Sequence, residues 1–190
     1  MIALVVFTDG RWGLLERTLG SAAANLDGPI SHVIVRIDGY RLDDVPLSLA
    51  SKLGELWPNA EWAIAENRGR LGFAGTINAA WRGFAQRDDV AYVFHLEDDF
   101  TFNRPVDLRA MAEVLDYAPH LAQLALRRQP WNDQERAAGG IVECWPDEYL
   151  DSAVAGLDCG RAEWLEHRLF FTTNPSLYRR ELCQLGWPLG

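Results

Sequence analysis

Apolar, β-branched runs alternate along the first half of the chain with segments that carry apolar residues at helical spacing. The runs predict four strands, at 2–7, 31–40, 61–67 and 90–100. The intervening segments predict amphipathic helices at 14–26, 44–57 and 72–86. Strands that alternate with helices are typical of an α/β fold, in which a mainly parallel sheet has helices on both faces.

The second half has a less regular pattern. A helix is predicted at 106–118 and a strand at 121–128, followed by the polar loop "QPWNDQERAAGGIVE". The segment 163–187 predicts a strand, a turn at Asn174-Pro175 and a helix. Because no repeat, low-complexity tract or linker interrupts the chain, we expect residues 1–190 to form one domain.

Polar side chains lie at or just beyond the carboxyl end of each of the four predicted strands of the first half. They are Thr8 and Asp9 with Arg11, then Asp38, then Glu66 and Asn67 with Arg68 and Arg70, then Glu97, Asp98 and Asp99. Ligands of open parallel sheets bind beyond the carboxyl ends of the strands, so these groups predict a site along one edge. For Asp9 or Asp38 alone, ordinary turn chemistry is an equally good interpretation.

The acidic triplet Glu97-Asp98-Asp99 is the most specific of these features. Side chains alternate along a strand, so Glu97 and Asp99 are predicted to share a face with His95, whereas Asp98 points to the other face. Mg²⁺ and Mn²⁺ bind carboxylate oxygens and leave positions open for phosphates. The triplet therefore predicts a cation that holds a diphosphate, and an exposed acidic turn is the alternative.

The glycine-containing segment "NRGRLGFAGTINAAW", residues 67–81, precedes and enters a predicted helix. Its glycines would let the backbone approach a ligand, and a helix N-terminus favours anions. It matches neither GxGxxG nor a P-loop, so a simple connection from loop to helix is an equally good interpretation.

Charge and cysteine content narrow the class of protein. The chain has 18 basic and 27 acidic residues, a net charge of −9, which does not favour non-specific binding of duplex DNA. Its cations are nearly all arginines, which suit a local phosphate site. Three cysteines without metal-ligand spacing predict reduced thiols and a cytoplasmic location. No apolar run has the length of a membrane span.

The order and spacing of these motifs resemble the GT-A-fold glycosyltransferases of the family-2 type. The resemblance covers residues 2–102 well and continues more loosely through "FFTTNPSLYRREL". It implies a GT-A-type, Rossmann-like, mainly parallel sheet flanked by helices. Residues 1–102 would bind the nucleotide sugar and metal, and residues 103–190 would form the acceptor side.

The resemblance also implies roles for individual residues. Asp99 lies at the position of the family's DXD motif that holds Mn²⁺ or Mg²⁺, and Asp38 falls where the family's acid contacts the base or ribose. The implied nucleotide-sugar-binding residues are Thr8, Asp9, Arg11, Asp38, Asn67, Arg70, Glu97 and Asp98. Glutamate stands at the first acid of the motif, which leaves the contact of Glu97 open between ribose and sugar.

The catalytic base is expected on the acceptor side, where a carboxylate would take the proton of the acceptor hydroxyl. Asp133 and Glu135 are the candidates that we name first, and Glu143 and Asp147 are alternatives that the sequence does not rank. Trp131 could stack on a sugar. His95 and His167 could serve a metal, although packing is the commoner use of a lone histidine. Relatives often continue beyond this point with another histidine and an acid, so a further C-terminal portion is expected.

The predicted function is metal-dependent transfer of a sugar from a nucleotide-diphosphate donor to an acceptor hydroxyl. A nucleotidyltransferase acting on a sugar phosphate and a non-catalytic sugar-nucleotide or carbohydrate-binding module are the alternatives. The acceptor stays open among a glycan, a lipid-linked sugar, a small metabolite and a hydroxylated nucleobase.

Overall fold

The computed structural model describes residues 1–39, 45–67, 69–126, 146–168 and 172–187. The described strands are β1 (Ile2–Thr8), β2 (Leu26–Asp27), β3 (Ile30–Ile37), β4 (Glu61–Glu66), β5 (Tyr92–Glu97), β6 (Val106–Asp107), β7 (Gln123–Ala125), β8 (Leu150–Leu157), β9 (Gly160–Glu166) and β10 (Ser176–Arg179). The described helices are α1 (Trp12–Asn25), α2 (Leu47–Leu56), α3 (Gly72–Phe84), α4 (Leu108–Tyr117) and α5 (Leu182–Leu185).

The central sheet has the strand order β4-β3-β1-β5-β10-β7 among the described residues. Its four first-half strands are parallel, and β10 pairs antiparallel with both β5 and β7. The mainly parallel α/β sheet predicted from the sequence is therefore confirmed. The order also places β1 between β3 and β5, so that the ends of these three strands are neighbours.

The core lies on both faces of this sheet, which explains why all seven residues of β1 are buried. Leu4 and Val6 of β1 pack with apolar residues of α1, α2 and α4 on one face. Ala3, Val5 and Phe7 pack on the other face with the apolar side of α3 and with β10. Helix α3 presents Ile77, Ala80, Trp81 and Phe84 to this second cluster. The two faces thus hold the carboxyl end of β1 rigidly from both sides.

The second half differs from the sequence prediction in three respects. Among the described residues of the strand predicted at 121–128, only Gln123–Ala125 form a strand, and β10 begins directly after Asn174-Pro175. Strands β8 and β9 form an antiparallel hairpin that the sequence pattern did not predict. Gly156 and Gly160 flank its turn with φ values of 85° and 95°, which favour glycine. The loop predicted at 129–143 lies outside the described residues.

None of the described helices has the length and apolar character needed to cross a membrane. Among the described cysteines, Cys159 is an exposed free thiol and Cys183 is a buried one. Burial raises the pKa of the Cys183 thiol to about 12, so it is protonated at neutral pH.

Candidate functional site

The carboxyl ends of β1, β3, β4 and β5 are joined by backbone hydrogen bonds just beyond the strands. The amide of Asp38 donates to the carbonyl of Thr8 at 2.9 Å, and the amide of Asp98 donates to the carbonyl of Phe7 at 3.0 Å. The amide of Asn67 donates to the carbonyl of Ile37 at 3.1 Å. Four of the sequence-predicted site residues, Thr8, Asp38, Asn67 and Asp98, therefore lie along one edge.

Asp98 is the buried member of the acidic triplet, with a side chain that is 0% exposed. One carboxylate oxygen accepts a hydrogen bond from the Thr8 hydroxyl at 2.5 Å, and the other accepts from the guanidinium of Arg11. The Thr18 hydroxyl donates to the Asp98 carbonyl at 2.7 Å. Burial raises the pKa of Asp98 above its usual value, against the lowering effect of Thr8 and Arg11. Asp98 thus ties the end of β5 to β1 and α1.

Arg11 joins the acids that follow β1 and β5. In addition to its bond with Asp98, its Nε lies 3.1 Å from Asp9 Oδ1 and its Nη1 lies 3.3 Å from Asp99 Oδ2. Burial alone would lower the pKa of Arg11, but the charges of Asp98, Asp99 and Asp9 raise it above its usual value. The Asp99 side chain is 44% exposed, so it faces solvent at the point where Asp98 faces the protein.

Glu97 occupies the last position of β5 and is half-buried. Burial raises the pKa of its carboxyl group, and the neighbouring charges of Asp99 and Asp98 add to that effect, although a hydrogen bond with Thr173 opposes it. Thr173 lies just before β10 and was not among the predicted site residues. Its only signal in the sequence is its place within "FFTTNPSLYRREL".

Asp38 lies at the entry to α3 and is buried. Its carboxylate accepts hydrogen bonds from the backbone amides of Leu71 at 2.7 Å and Gly72 at 2.9 Å, and from the Asn67 side chain at 2.9 Å. Burial would raise the pKa of Asp38, but these hydrogen bonds lower it below its usual value. The N-terminus of α3, which the sequence suggested for a ligand anion, therefore receives the protein's own carboxylate.

Asn67 connects Asp38 to two residues that the sequence analysis did not name. Its Nδ2 also contacts the Thr76 hydroxyl at 2.8 Å, and its Oδ1 accepts from Arg36 Nε at 2.9 Å. Gly39 follows Asp38 with a φ of 83°, and a Cβ atom there would lie 3.3 Å from Cγ of Arg70. The exposed Arg70 therefore lies directly against the turn that carries Asp38, whereas Arg68 lies outside the described residues.

His95 is fully buried, two residues before Glu97, in a cluster of aromatic rings. Its ring centroid lies 4.7 Å from that of Phe7 and 6.1 Å from that of Trp187, which stacks on it at an interplanar angle of 21°. Burial lowers its pKa to about 3, so the ring is neutral at physiological pH. Of the two interpretations of His95, metal binding and packing, the structure therefore favours packing. His167 is half-buried, with its ring 5.0 Å from that of Tyr149.

The carboxylate oxygens that are available at this edge determine which cation could bind there. Among the described residues, no group of three or more His, Cys, Asp and Glu side chains has the geometry of a metal site. The oxygens of Asp98 bind Thr8 and Arg11, which leaves Asp99 as the exposed carboxylate, with Glu97 beside it. A hard divalent cation bound by one or two carboxylates and completed by phosphates fits this set.

Most of the acceptor-side residues proposed from the sequence are not among the described residues. Asp133 and Glu135, like Trp131 and Glu143, lie outside the described residues. Asp147 lies exposed in a short 3-10 turn, Pro146–Glu148. The structure thus brings together the predicted nucleotide and metal residues of the first half, and the catalytic base stays a prediction.

Comparison with known proteins supports the fold. No protein-family model and no curated protein matches the sequence. A mannosyltransferase from Pyrobaculum calidifontis, solved in complex with GDP-Man and Mn²⁺, matches 98% of this chain with a TM-score of 0.61 and 17% sequence identity. The chain spans 47% of that protein's length.

Two further solved structures match less closely. GalNAc-T7 with UDP, GalNAc and Mn²⁺ has a TM-score of 0.39 at 19% identity, over 52% of this chain and 18% of its own. A 4-diphosphocytidyl-2C-methyl-D-erythritol synthase has a TM-score of 0.41 at 11% identity, over 95% of this chain and 75% of its own. The likeness to the mannosyltransferase, together with the strand order, shows that the chain has a GT-A-type fold.

Proposed function

We propose that the protein binds a nucleotide-diphosphate sugar together with Mn²⁺ or Mg²⁺ and transfers the sugar to an acceptor hydroxyl. The observation that supports this most directly is the group formed by Arg11, Asp98 and Asp99 at the ends of β1 and β5. This group lies where ligands bind in open parallel sheets. The matched mannosyltransferase, which shares the fold, was solved with GDP-Man and Mn²⁺.

The residues at the carboxyl edge of the sheet would each bind a different part of the nucleotide-sugar donor. Asp99 would bind the divalent cation, which would neutralise charge on the departing diphosphate. Glu97 would accept hydrogen bonds from hydroxyl groups of the ribose or the sugar. Asp38 would lie near the base or ribose, and Arg70, held against Gly39, would reach the diphosphate as a charged bidentate donor.

Thr8, Asp9 and Asn67 complete the proposed donor site. Thr8 and Asn67 would act mainly by fixing Asp98 and Asp38, to which they are hydrogen-bonded. Asp9 is half-exposed beside Arg11 and would face the nucleotide. The proton of the acceptor hydroxyl would pass to a carboxylate, for which Asp133 and Glu135 remain the proposed candidates.

The test is a panel of nucleotide sugars, with and without Mn²⁺, in which release of nucleoside diphosphate is measured alongside binding. With no acceptor added, water takes the place of the acceptor hydroxyl and receives the sugar, so a transferase predicts metal-dependent release of nucleoside diphosphate. Asp99→Asn should reduce this release by at least tenfold, and Asp88→Asn should not change it. Asp88 is a suitable control because its side chain is 99% exposed in the loop between α3 and β5, where it pairs with Arg180.

The panel, extended by nucleoside triphosphates with a sugar phosphate, separates the alternatives. A nucleotidyltransferase would instead release pyrophosphate from a nucleoside triphosphate in the presence of a sugar phosphate. A binding module would retain the nucleotide sugar without releasing any product. Binding of none of the sugar nucleotides would overturn the proposed function.

A further inference from the structure

A single guanidinium at the proposed donor site contacts three carboxylates. Arg11 contacts Asp9 through Nε at 3.1 Å, Asp99 through Nη1 at 3.3 Å, and Asp98 through Nη2. One positive charge therefore faces three negative charges, and the half-buried Glu97 lies beside them. The group has an excess of negative charge that a divalent cation would compensate.

The three contacts of Arg11 differ in how firmly they hold it. Asp98 is 0% exposed, and its other oxygen is occupied by Thr8, so loss of the Arg11 bond would leave a buried carboxylate half-paired. Asp99 and Asp9 are 44% and 47% exposed, and ion pairs at such positions contribute little. Arg11 is therefore anchored at Asp98 and easily exchanged at Asp99.

We propose that Arg11 is the counter-ion of these carboxylates when no metal is bound. When a divalent cation binds, Arg11 releases Asp99 and directs its freed N–H groups to the donor diphosphate. The proposal rests on the proposed function for the identity of the donor. If Arg11 kept its contact with Asp99, its positive charge would lie within a few ångströms of the cation bound to the same carboxylate, and the two positive charges would repel each other. The bond to Asp98 keeps the guanidinium at the site, where its planar fork matches phosphate oxygens.

Opposite effects of one substitution provide the test. Arg11→Gln should bind Mn²⁺ alone at least about fivefold more tightly than the wild type, because the repulsion of a unit charge a few ångströms away is removed. At saturating Mn²⁺, the same variant should bind nucleoside diphosphate at least about fivefold more weakly, because a charged hydrogen-bond donor is lost. General damage to the site would lower both affinities together.

Arg87→Gln is the matched control. Arg87 lies 2.9 Å from Asp89 and 3.5 Å from Glu61, so its removal also deprives two carboxylates of a cation, but in the loop between α3 and β5. It should change neither affinity. Mn²⁺ binding is measured by calorimetry, and ADP, CDP, GDP, UDP and dTDP are tested in turn with the wild type to choose the nucleotide probe.

A measurement on the wild type covers the case in which Arg11→Gln does not fold. The guanidinium NMR signal of Arg11 should shift on addition of Mg²⁺ alone, whereas that of Arg87 should stay in place. An unchanged Arg11 signal, or a variant whose Mn²⁺ affinity is equal to or weaker than that of the wild type, would overturn the proposal. Failure of every nucleoside diphosphate to bind the wild type would instead overturn the proposed function, since the metal titrations need no nucleotide.

Discussion

The side-chain amide of Asn67 donates a 2.9 Å hydrogen bond to Asp38, and this pair connects the end of β4 to the end of β3. The same Asp38 carboxylate accepts the backbone amides of Leu71 and Gly72, where α3 begins. A negative charge is favourable at a helix N-terminus, where backbone N–H groups lack partners. The pair therefore orders the whole turn from Asn67 to α3.

Replacement of Asp38 should destabilise the fold. Asp38→Ala removes three hydrogen bonds to a buried carboxylate and should lower the free energy of unfolding by about 2–4 kcal/mol. Urea denaturation measures the change, and hydrogen exchange should accelerate at Leu71 and Gly72. The control Asp88→Ala, at a 99% exposed side chain, should change stability by less than about 0.5 kcal/mol.

The contribution of Asp38 should depend on pH with a defined sign. Its folded pKa is lower than the ordinary value of 3.8, because hydrogen bonds favour the charged form against the effect of burial. The stabilisation is therefore complete above about pH 4 and is lost as the pH falls through the lower folded pKa. A stability difference between wild type and Asp38→Ala that does not diminish at low pH would contradict this assignment.

Asn78, the twelfth residue of the glycine-containing segment 67–81, is expected to hold the backbone of Trp187 in place. Its side chain forms two hydrogen bonds with the backbone of Trp187, at 3.1 Å to the carbonyl and 2.7 Å from the amide. Asn78→Ala should lower the free energy of unfolding by about 1–3 kcal/mol and accelerate amide exchange at Trp187. If exchange at Trp187 is unaffected, Asn78 does not restrain this segment.

The sequence predicted the sheet and its edge because both depend on local patterns. The strands of the first half are rich in apolar residues, and the polar residues that end them, such as Asp38 and Asp98, must meet at one edge of a parallel sheet. What each acid contacts could not be predicted. The pairing of Asp98 with Thr8 spans 90 residues of sequence, and it follows from the neighbouring positions of β1 and β5.

The hairpin β8–β9 was missed for a related reason. Its strands carry alanines, acids and single apolar residues, and most of their side chains are exposed. A strand with mostly exposed side chains and few apolar residues has no strong hydrophobic periodicity to detect. Thr173 and Arg36 were missed because each contacts the site across the fold, Thr173 through Glu97 and Arg36 through Asn67.

His95 should make stability depend on pH between about 3 and 6.5. Burial lowers its folded pKa to about 3, compared with 6.5 for an exposed histidine. Below pH 6.5 the unfolded chain binds a proton that the folded protein excludes, so stability falls as the pH falls, by at most about 1.4 kcal/mol per pH unit. Above pH 6.5 both forms are neutral and the effect disappears.

A phenylalanine at this position isolates the effect of His95. His95→Phe keeps an aromatic ring beside Phe7 and Trp187 and cannot titrate. Urea denaturation of wild type and variant from pH 4 to 8 should give curves that diverge below pH 6.5, with the variant losing less stability. Carboxylates such as Asp38 titrate in both proteins and cancel in the difference. Parallel curves would show that the folded protein accepts the proton at His95.

The adjacent acids Asp98 and Asp99 should have opposite phenotypes. Asp98→Ala removes a fully buried carboxylate bound to Thr8 and Arg11, so it should lower the free energy of unfolding by about 2–4 kcal/mol. Asp99→Ala removes an exposed carboxylate and should change stability by less than about 0.5 kcal/mol, while it abolishes Mn²⁺-dependent binding of nucleoside diphosphate. Urea denaturation and calorimetry on both variants measure the two properties separately. A stable Asp98→Ala protein, or an Asp99→Ala protein with unchanged metal-dependent affinity, would show that the two roles are wrongly assigned.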